Sequence, residues 1–201
     1  MHTVVFDIGN VLVKFDWKMC LDALKYEEEM QNKLKKVFCS EVWLEGDRGN
    51  VTKDTWLPLF LDLAPELEKE IRNVYENLNL VIRKYPFADA MIQTFRDAGF
   101  GVYFLSNYSE YLYEKSKTDL DFIESMDGGV FSYREKCIKP QEEIYNRLLT
   151  RYNINPYEAW FFDDRLENVE AARKAGLNAV QFDCKVADEI LAGNYIQGDG
   201  K

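Results

Sequence analysis

The sequence is poor in the residues that mark several common activities. Its 201 positions hold one histidine, His2. A Ser-His-Asp hydrolase needs an imidazole between nucleophile and acid, and a histidine-rich zinc site needs several. Both classes are disfavoured. The four cysteines, Cys20, Cys39, Cys137 and Cys184, include no CxxC pair. They read as reduced thiols of a cytoplasmic protein, used for ordinary packing rather than as a nucleophile. No apolar run is long enough to cross a membrane. A signal peptide is not expected, because Asp7 interrupts the first apolar run and no small-residue cleavage site follows. Positive charge is also scarce: 25 Lys and Arg face 35 Asp and Glu, a formal net charge of -10. That balance argues against a nucleic-acid-binding face and against an anionic membrane surface. A small phosphorylated substrate stays open, since local cations and helix N-termini decide its binding. Nothing specifies an oligomeric state.

What is present is a chain 47% hydrophobic and 14% aromatic, ample for the core of one domain or of a core domain with an insertion. Short apolar runs recur at Val4–Asp7, Val102–Ser106, Val130–Ser132, Trp160–Asp163 and Ala179–Phe182. The stronger ones are almost continuously apolar, as parallel strands covered on both faces should be. Helical patterns lie between them over Pro86–Ala98, Gln141–Tyr152 and Leu166–Ala175. The alternation predicts an α/β fold with a doubly wound, mostly parallel sheet.

The interval between the first two strands is too long for a crossover. It shows helical periodicity in Cys20–Val42, Lys53–Leu63 and Glu66–Arg83, and no convincing strand. It reads as a helical cap, 17–85, inserted after the first strand of a core made of 1–16 and 86–201. A turn at Gly46–Asn50 is expected between two cap helices. The tail from Ala192 is expected to be mobile.

Four signals fall at strand ends. In the segment VVFDIGNV, Val4–Val11, an apolar run delivers one acid, Asp7, and breaks at Gly9-Asn10. An acid ending a buried strand is costly unless it binds something. Ser106-Asn107 follows the second strand, Lys139-Pro140 precedes the helix at Gln141, and Asp163-Asp164 follows the fourth strand. Open α/β sheets bring such positions to one carboxyl edge. Each has an ordinary use alone. Ser106-Asn107 suits a helix N-cap before Tyr108–Lys117, Lys139 a solvated loop, and one of the two aspartates a cap of the next helix. Together, in this order, they are specific.

The set resembles the haloacid dehalogenase superfamily, and FFDDRLENVEAARKAGLNAV, Phe161–Val180, is especially like its fourth motif. The first motif, FDIGNV, is most like a subgroup that includes sugar-phosphate phosphatases acting on glucose 1-phosphate. The resemblance implies a Rossmann-like core, a Mg²⁺ cofactor and a small phosphorylated substrate such as a hexose 1-phosphate. It implies Asp7 as the nucleophile that forms an aspartyl-phosphate. Asp7, the Gly9 carbonyl and Asp164 would hold the metal, with Asp163 the second choice to Asp164 and Asn168 in support. Ser106 and Asn107 would bind the phosphoryl oxygens, and Lys139 would add charge there and orient Asp7.

One departure matters. Most phosphatases of this family carry a second aspartate two residues after the nucleophile, which protonates the leaving alcohol and activates water. This chain has Gly9. Losing such help costs about 10²–10⁴-fold in rate. Three consequences are open: a slow enzyme, a preference for better leaving groups such as an anomeric sugar phosphate, or replacement by another acid, of which Asp16 is nearest. Asp16 is read first as a structural or substrate-contacting residue. Phe15, Asp16, Trp17, Trp43, Asp47 and Arg48 are the cap-side candidates for specificity, against plain core packing for the two tryptophans. Two rivals remain: a metal-independent haloacid dehalogenase, and a ligand-binding or regulatory protein on a weakened scaffold.

Overall fold

The computed structural model describes residues 2–196. In chain order the first elements are β1 (Thr3–Phe6), β2 (Val13–Phe15), α1 (Trp17–Ala23), α2 (Glu28–Phe38), α3 (Glu41–Asp47), α4 (Lys53–Leu63), α5 (Glu68–Glu76) and β3 (Ile82–Lys84). They are followed by α6 (Ala88–Asp97), β4 (Gly101–Ser106), α7 (Glu110–Ser116), β5 (Gly128–Phe131), α8 (Ser132–Glu135) and α9 (Glu142–Tyr152). Then come β6 (Ala159–Asp163), α10 (Leu166–Lys174), β7 (Asn178–Gln181) and α11 (Cys184–Leu191).

Five strands form one parallel sheet in the order β5-β4-β1-β6-β7. Residues alternate across a strand, so one run of apolar side chains feeds two cores. Val4, Phe6, Val102, Phe104 and Phe162 pack on one face with Met91, Ile92 and Phe95 of α6 and Ala187 and Ile190 of α11. Val5, Tyr103, Leu105 and Phe161 pack on the other with Ile144, Tyr145 and Leu148 of α9 and Val169 and Ala172 of α10. This is the doubly wound sheet expected, with helices inserted after its first strand. Phe6 is fully buried and sits between Phe162 and Phe95, at ring separations of 5.6 and 5.7 Å.

The helical segment has its own apolar centre. Trp56 of α4 is buried, and its indole N–H donates to the Val42 carbonyl at 2.8 Å. Phe38 meets Phe60 at 4.7 Å. At Gly46 an added Cβ would lie 2.4 Å from the Trp56 ring, so α3 and α4 approach this closely only through a glycine.

Several details differ from expectation. The interval does contain a strand: β3 pairs antiparallel with β2, Val13 opposite Lys84 and Phe15 opposite Ile82. The helix expected over Glu66–Arg83 stops at Glu76, and its last residues become that strand. Periodicity misled here because Val81 and Ile82 are buried in both readings. The run Cys20–Val42 is three helices, with Lys25 at φ 60 breaking the first from the second. Gly46 and Asp47 finish α3, so the turn begins after them, with Gly49 at φ 68. In the tail from Ala192, the Tyr195 ring packs 5.1 Å from Phe162, and its hydroxyl donates to Glu189. Residues 197–201 lie outside the described residues. All four cysteines are free, and no helix of the described residues is long and apolar enough to cross a membrane.

Candidate active site

The parallel register brings the strand ends level: Phe6 pairs with both Phe104 and Phe162. One residue on, the Asp7 N–H donates to the Phe162 carbonyl at 2.8 Å. Asp7 is 7% exposed. Its Oδ1 accepts from the Ile8 N–H at 2.7 Å and the Ser106 hydroxyl at 2.8 Å, and meets Lys139 Nζ at 2.9 Å. No protein donor among the described residues reaches Oδ2. Burial pushes the Asp7 carboxyl up to about 7, with the Asp163 charge adding to it and Lys139 and Ser106 opposing.

Lys139 is fully enclosed and bridges two acids, since its Nζ also lies 2.6 Å from Asp163 Oδ2. Burial works to lower the ammonium, but the charges of Asp163 and Asp7 outweigh it and hold Lys139 above its usual value. The solvated-lysine alternative is therefore wrong. Asp163 is saturated: besides Lys139, it accepts from the Arg165 N–H at 2.9 Å and from Asn168 Nδ2 at 2.9 and 3.0 Å. Asp164 is half-buried and accepts from Asn10 Nδ2 at 3.0 Å through one oxygen. Burial raises its carboxyl, against the Asn10 hydrogen bond.

The expected helix cap at Ser106-Asn107 falls elsewhere, because Ser109 accepts from Leu112 N–H and caps α7. The Asn107 side chain is committed to Lys139 instead. Its Oδ1 accepts from the Lys139 N–H at 2.8 Å and its Nδ2 donates to the Lys139 carbonyl at 3.0 Å.

A cavity of about 410 Å³ opens over these residues. Asp7, Gly9, Ser106, Asn107, Lys139, Asp164 and Asn168 line its floor, and Asp163 lies behind them. Phe15, Trp17, Phe38, Trp43, Leu44 and Leu112 make an apolar wall, so both tryptophans face the cavity as well as the core. Asp47 also lines it; Asp16 and Arg48 do not. Asp16 caps α1 by accepting from the Lys18 N–H at 2.7 Å and pairs with Lys14 at 2.8 Å. Arg48 pairs with Glu45 at 3.0 Å.

Sequence reasoning missed two residues. Asn10 sits at φ 55, a left-handed conformation asparagine tolerates, and ties the turn after β1 to Asp164 and to the Phe15 N–H. Arg165 lines the cavity next to Asp164. The Gly9-Asn10 break was the available signal for the first; nothing local marks the second.

Asp7, Asp163 and Asp164 each offer a carboxylate oxygen, all within 4.8 Å of one another. An all-oxygen donor set suits a hard divalent cation such as Mg²⁺. Asn168 also lines the cavity, with its Nδ2 donating to both oxygens of Asp163. The residues present fit such an ion.

The family model for haloacid dehalogenase-like hydrolases matches residues 1–176, and the chain belongs to that family. The sesquiterpene phosphatase astK of Aspergillus oryzae is 24% identical over 177 residues, covering 86% of this chain and 85% of astK. Acyl-CoA dehydrogenase family member 10 of Mus musculus is 26% identical over 191 residues, 90% of this chain but 18% of that protein, so the chain spans less than a fifth of this relative. A solved structure of the HAD family enzyme bt-2542 from Bacteroides thetaiotaomicron, in complex with magnesium and inorganic phosphate, shares the fold. Its TM-score is 0.72 at 18% identity, over 91% of this chain and 94% of that one.

Proposed function

We propose that this protein is a Mg²⁺-dependent phosphatase of small phosphate monoesters, acting through an aspartyl-phosphate on Asp7. The observation that carries the reading is the Lys139 ammonium clamped between Asp7 and Asp163 on the floor of the cavity. Asp7 Oδ1 is occupied by three donors, which leaves Oδ2 to attack phosphorus. The phosphorus–oxygen bond to the organic group breaks as the bond to Asp7 forms, and water then cleaves the acyl phosphate. Ser106 and Lys139 orient Asp7, and Lys139 offsets charge on the phosphoryl group. Asn107 acts by holding the Lys139 backbone.

The metal would be held by Asp7, the Gly9 carbonyl and Asp164, and would neutralise phosphoryl charge. Asp164 is preferred to Asp163 because it lines the cavity, whereas Asp163 is saturated behind it. Residues 17–85 are taken as a cap and 1–16 with 86–201 as the core. The organic part of the substrate would lie on the apolar wall of Phe15, Trp17, Phe38 and Trp43. That wall suits an apolar group, like the substrates named for astK, and equally the apolar face of a hexose 1-phosphate.

Phosphate release from hexose phosphates, prenyl phosphates and an aryl phosphate, with and without Mg²⁺, tests the reading. Metal-dependent turnover lost in Asp7→Asn is expected. Halide release from a haloacid without metal, and no phosphate release, would establish the dehalogenase instead.

A further inference from the structure

The phosphatase reading leaves a proton unassigned, because Gly9 cannot supply one. We propose that Asp47, brought over the site by α3, gives a proton to the departing oxygen and then takes one from the hydrolytic water. The inference rests on the phosphatase reading and adds a residue to it.

Three observations carry it. Asp47 lines the cavity together with Asp7, yet is only 6% exposed. No hydrogen bond or ion pair reaches its carboxylate among the described residues, an unusual state for a buried acid that merely holds structure. Its backbone is held in register with the strand ends. The buried Ser132 hydroxyl donates to the Asp47 carbonyl at 2.6 Å and accepts from the Tyr108 N–H at 2.9 Å, and Tyr108 follows Asn107. The following turn is docked as well: Lys136 Nζ donates to the Gly49 carbonyl, and an added Cβ at Gly49 would lie 2.1 Å from the Tyr133 oxygen.

The charged groups around it are Asp7, Lys139, Arg165 and Arg48. Burial, followed by the Asp7 charge, pushes the Asp47 carboxyl up to about 7, against the three cations. A proton donor working near neutral pH needs such a value.

The step balances. As Asp7 attacks phosphorus, the leaving oxygen keeps the bond pair and takes the Asp47 proton, giving the free alcohol. Asp47, now a carboxylate, accepts a proton from water as that water attacks the acyl phosphate. Inorganic phosphate leaves, Asp7 is restored, and Asp47 is again protonated.

The test compares phosphorylation of Asp7 by p-nitrophenyl phosphate, whose leaving group needs no proton, with an unactivated alkyl phosphate. Rapid-quench rates are taken for the Mg²⁺-loaded wild type and Asp47→Asn. The variant should lose about 10²–10⁴-fold on the alkyl ester and less than about tenfold in the nitrophenolate burst. The burst also reports an intact Asp7 site. Equal losses on both esters, or none on either, would overturn the role. Should the variant not fold, the wild type alone decides. Ionisation of Asp7 acts on both esters alike, so the ratio of alkyl-ester to nitrophenyl-ester phosphorylation should fall as pH rises through neutrality, and a ratio that does not change with pH would overturn the role. A wild type without any metal-dependent nitrophenolate release would instead sink the phosphatase reading.

Discussion

The Asn107 side chain hydrogen-bonds both backbone polar groups of Lys139, at 2.8 Å to the N–H and 3.0 Å to the carbonyl. This pair joins the end of β4 to the loop before α9 and sets where the Lys139 ammonium stands. Lys139 Nζ in turn meets Asp7 at the end of β1 and Asp163 at the end of β6. Three strands thus converge on one residue that none of them carries, two through its side chain and one through its backbone.

Asn107→Ala should leave the fold standing and misplace the lysine. We expect kcat to fall by about 10²-fold, since a small displacement of a positioned charge has that effect. Steady-state kinetics of the variant check this; an unchanged kcat would contradict the positioning role.

Lys139→Met should be far more harmful to stability. It leaves Asp7 and Asp163 buried without their common cation, a loss of about 3–5 kcal/mol for a broken buried pair. Urea unfolding measures it, and a change under about 1 kcal/mol would mean the two acids find other partners.

Asp47 should make stability depend on pH. Its carboxyl rises from the ordinary 3.8 to about 7 on folding. Between those values the folded state holds a proton that the unfolded state has released. Its contribution is therefore full below about pH 4 and is lost as pH rises through about 7. Asp47→Asn lacks this loss and should be more stable than the wild type above neutral pH, by up to roughly 4 kcal/mol. Thermal unfolding at pH 5 and pH 8 shows the difference, and a gap that does not widen at the higher pH would refute it.

Gly49→Ala should displace the turn after α3. The residue sits at φ 68, and its Cβ would meet the Tyr133 carbonyl oxygen. A destabilisation above about 1 kcal/mol and weaker turnover are expected, read by denaturant midpoint and by phosphate release.

Mg²⁺ should stabilise the protein without any substrate. At one hundred times its dissociation constant it adds about 2.7 kcal/mol, and Asp164→Asn should lose most of that shift while Asp16→Asn keeps it. Thermal shift with and without the metal distinguishes the two.

The sequence alone determined the parallel sheet. Each of its strands needs only a short run of apolar residues, and a run of that kind is visible locally. It also determined which acids end those strands, because turn-forming residues follow them, and marked Lys139 before the helix at Gln141 as their partner. It missed β3, where Ile82 and Arg83 continue a helical period but pair with β2.

Only the tertiary structure decided what those residues do to one another. Asp163 and Asp164 are adjacent and chemically identical, yet packing saturates the first and leaves the second on the cavity. Asp47 looked no different from Arg48 beside it. Its side chain is enclosed over the site because α3 docks on Ser132 and Tyr133, contacts between segments far apart in the chain. Strand formation depends on neighbours along the sequence, whereas the burial and partners of a charge depend on whichever segments fold against it.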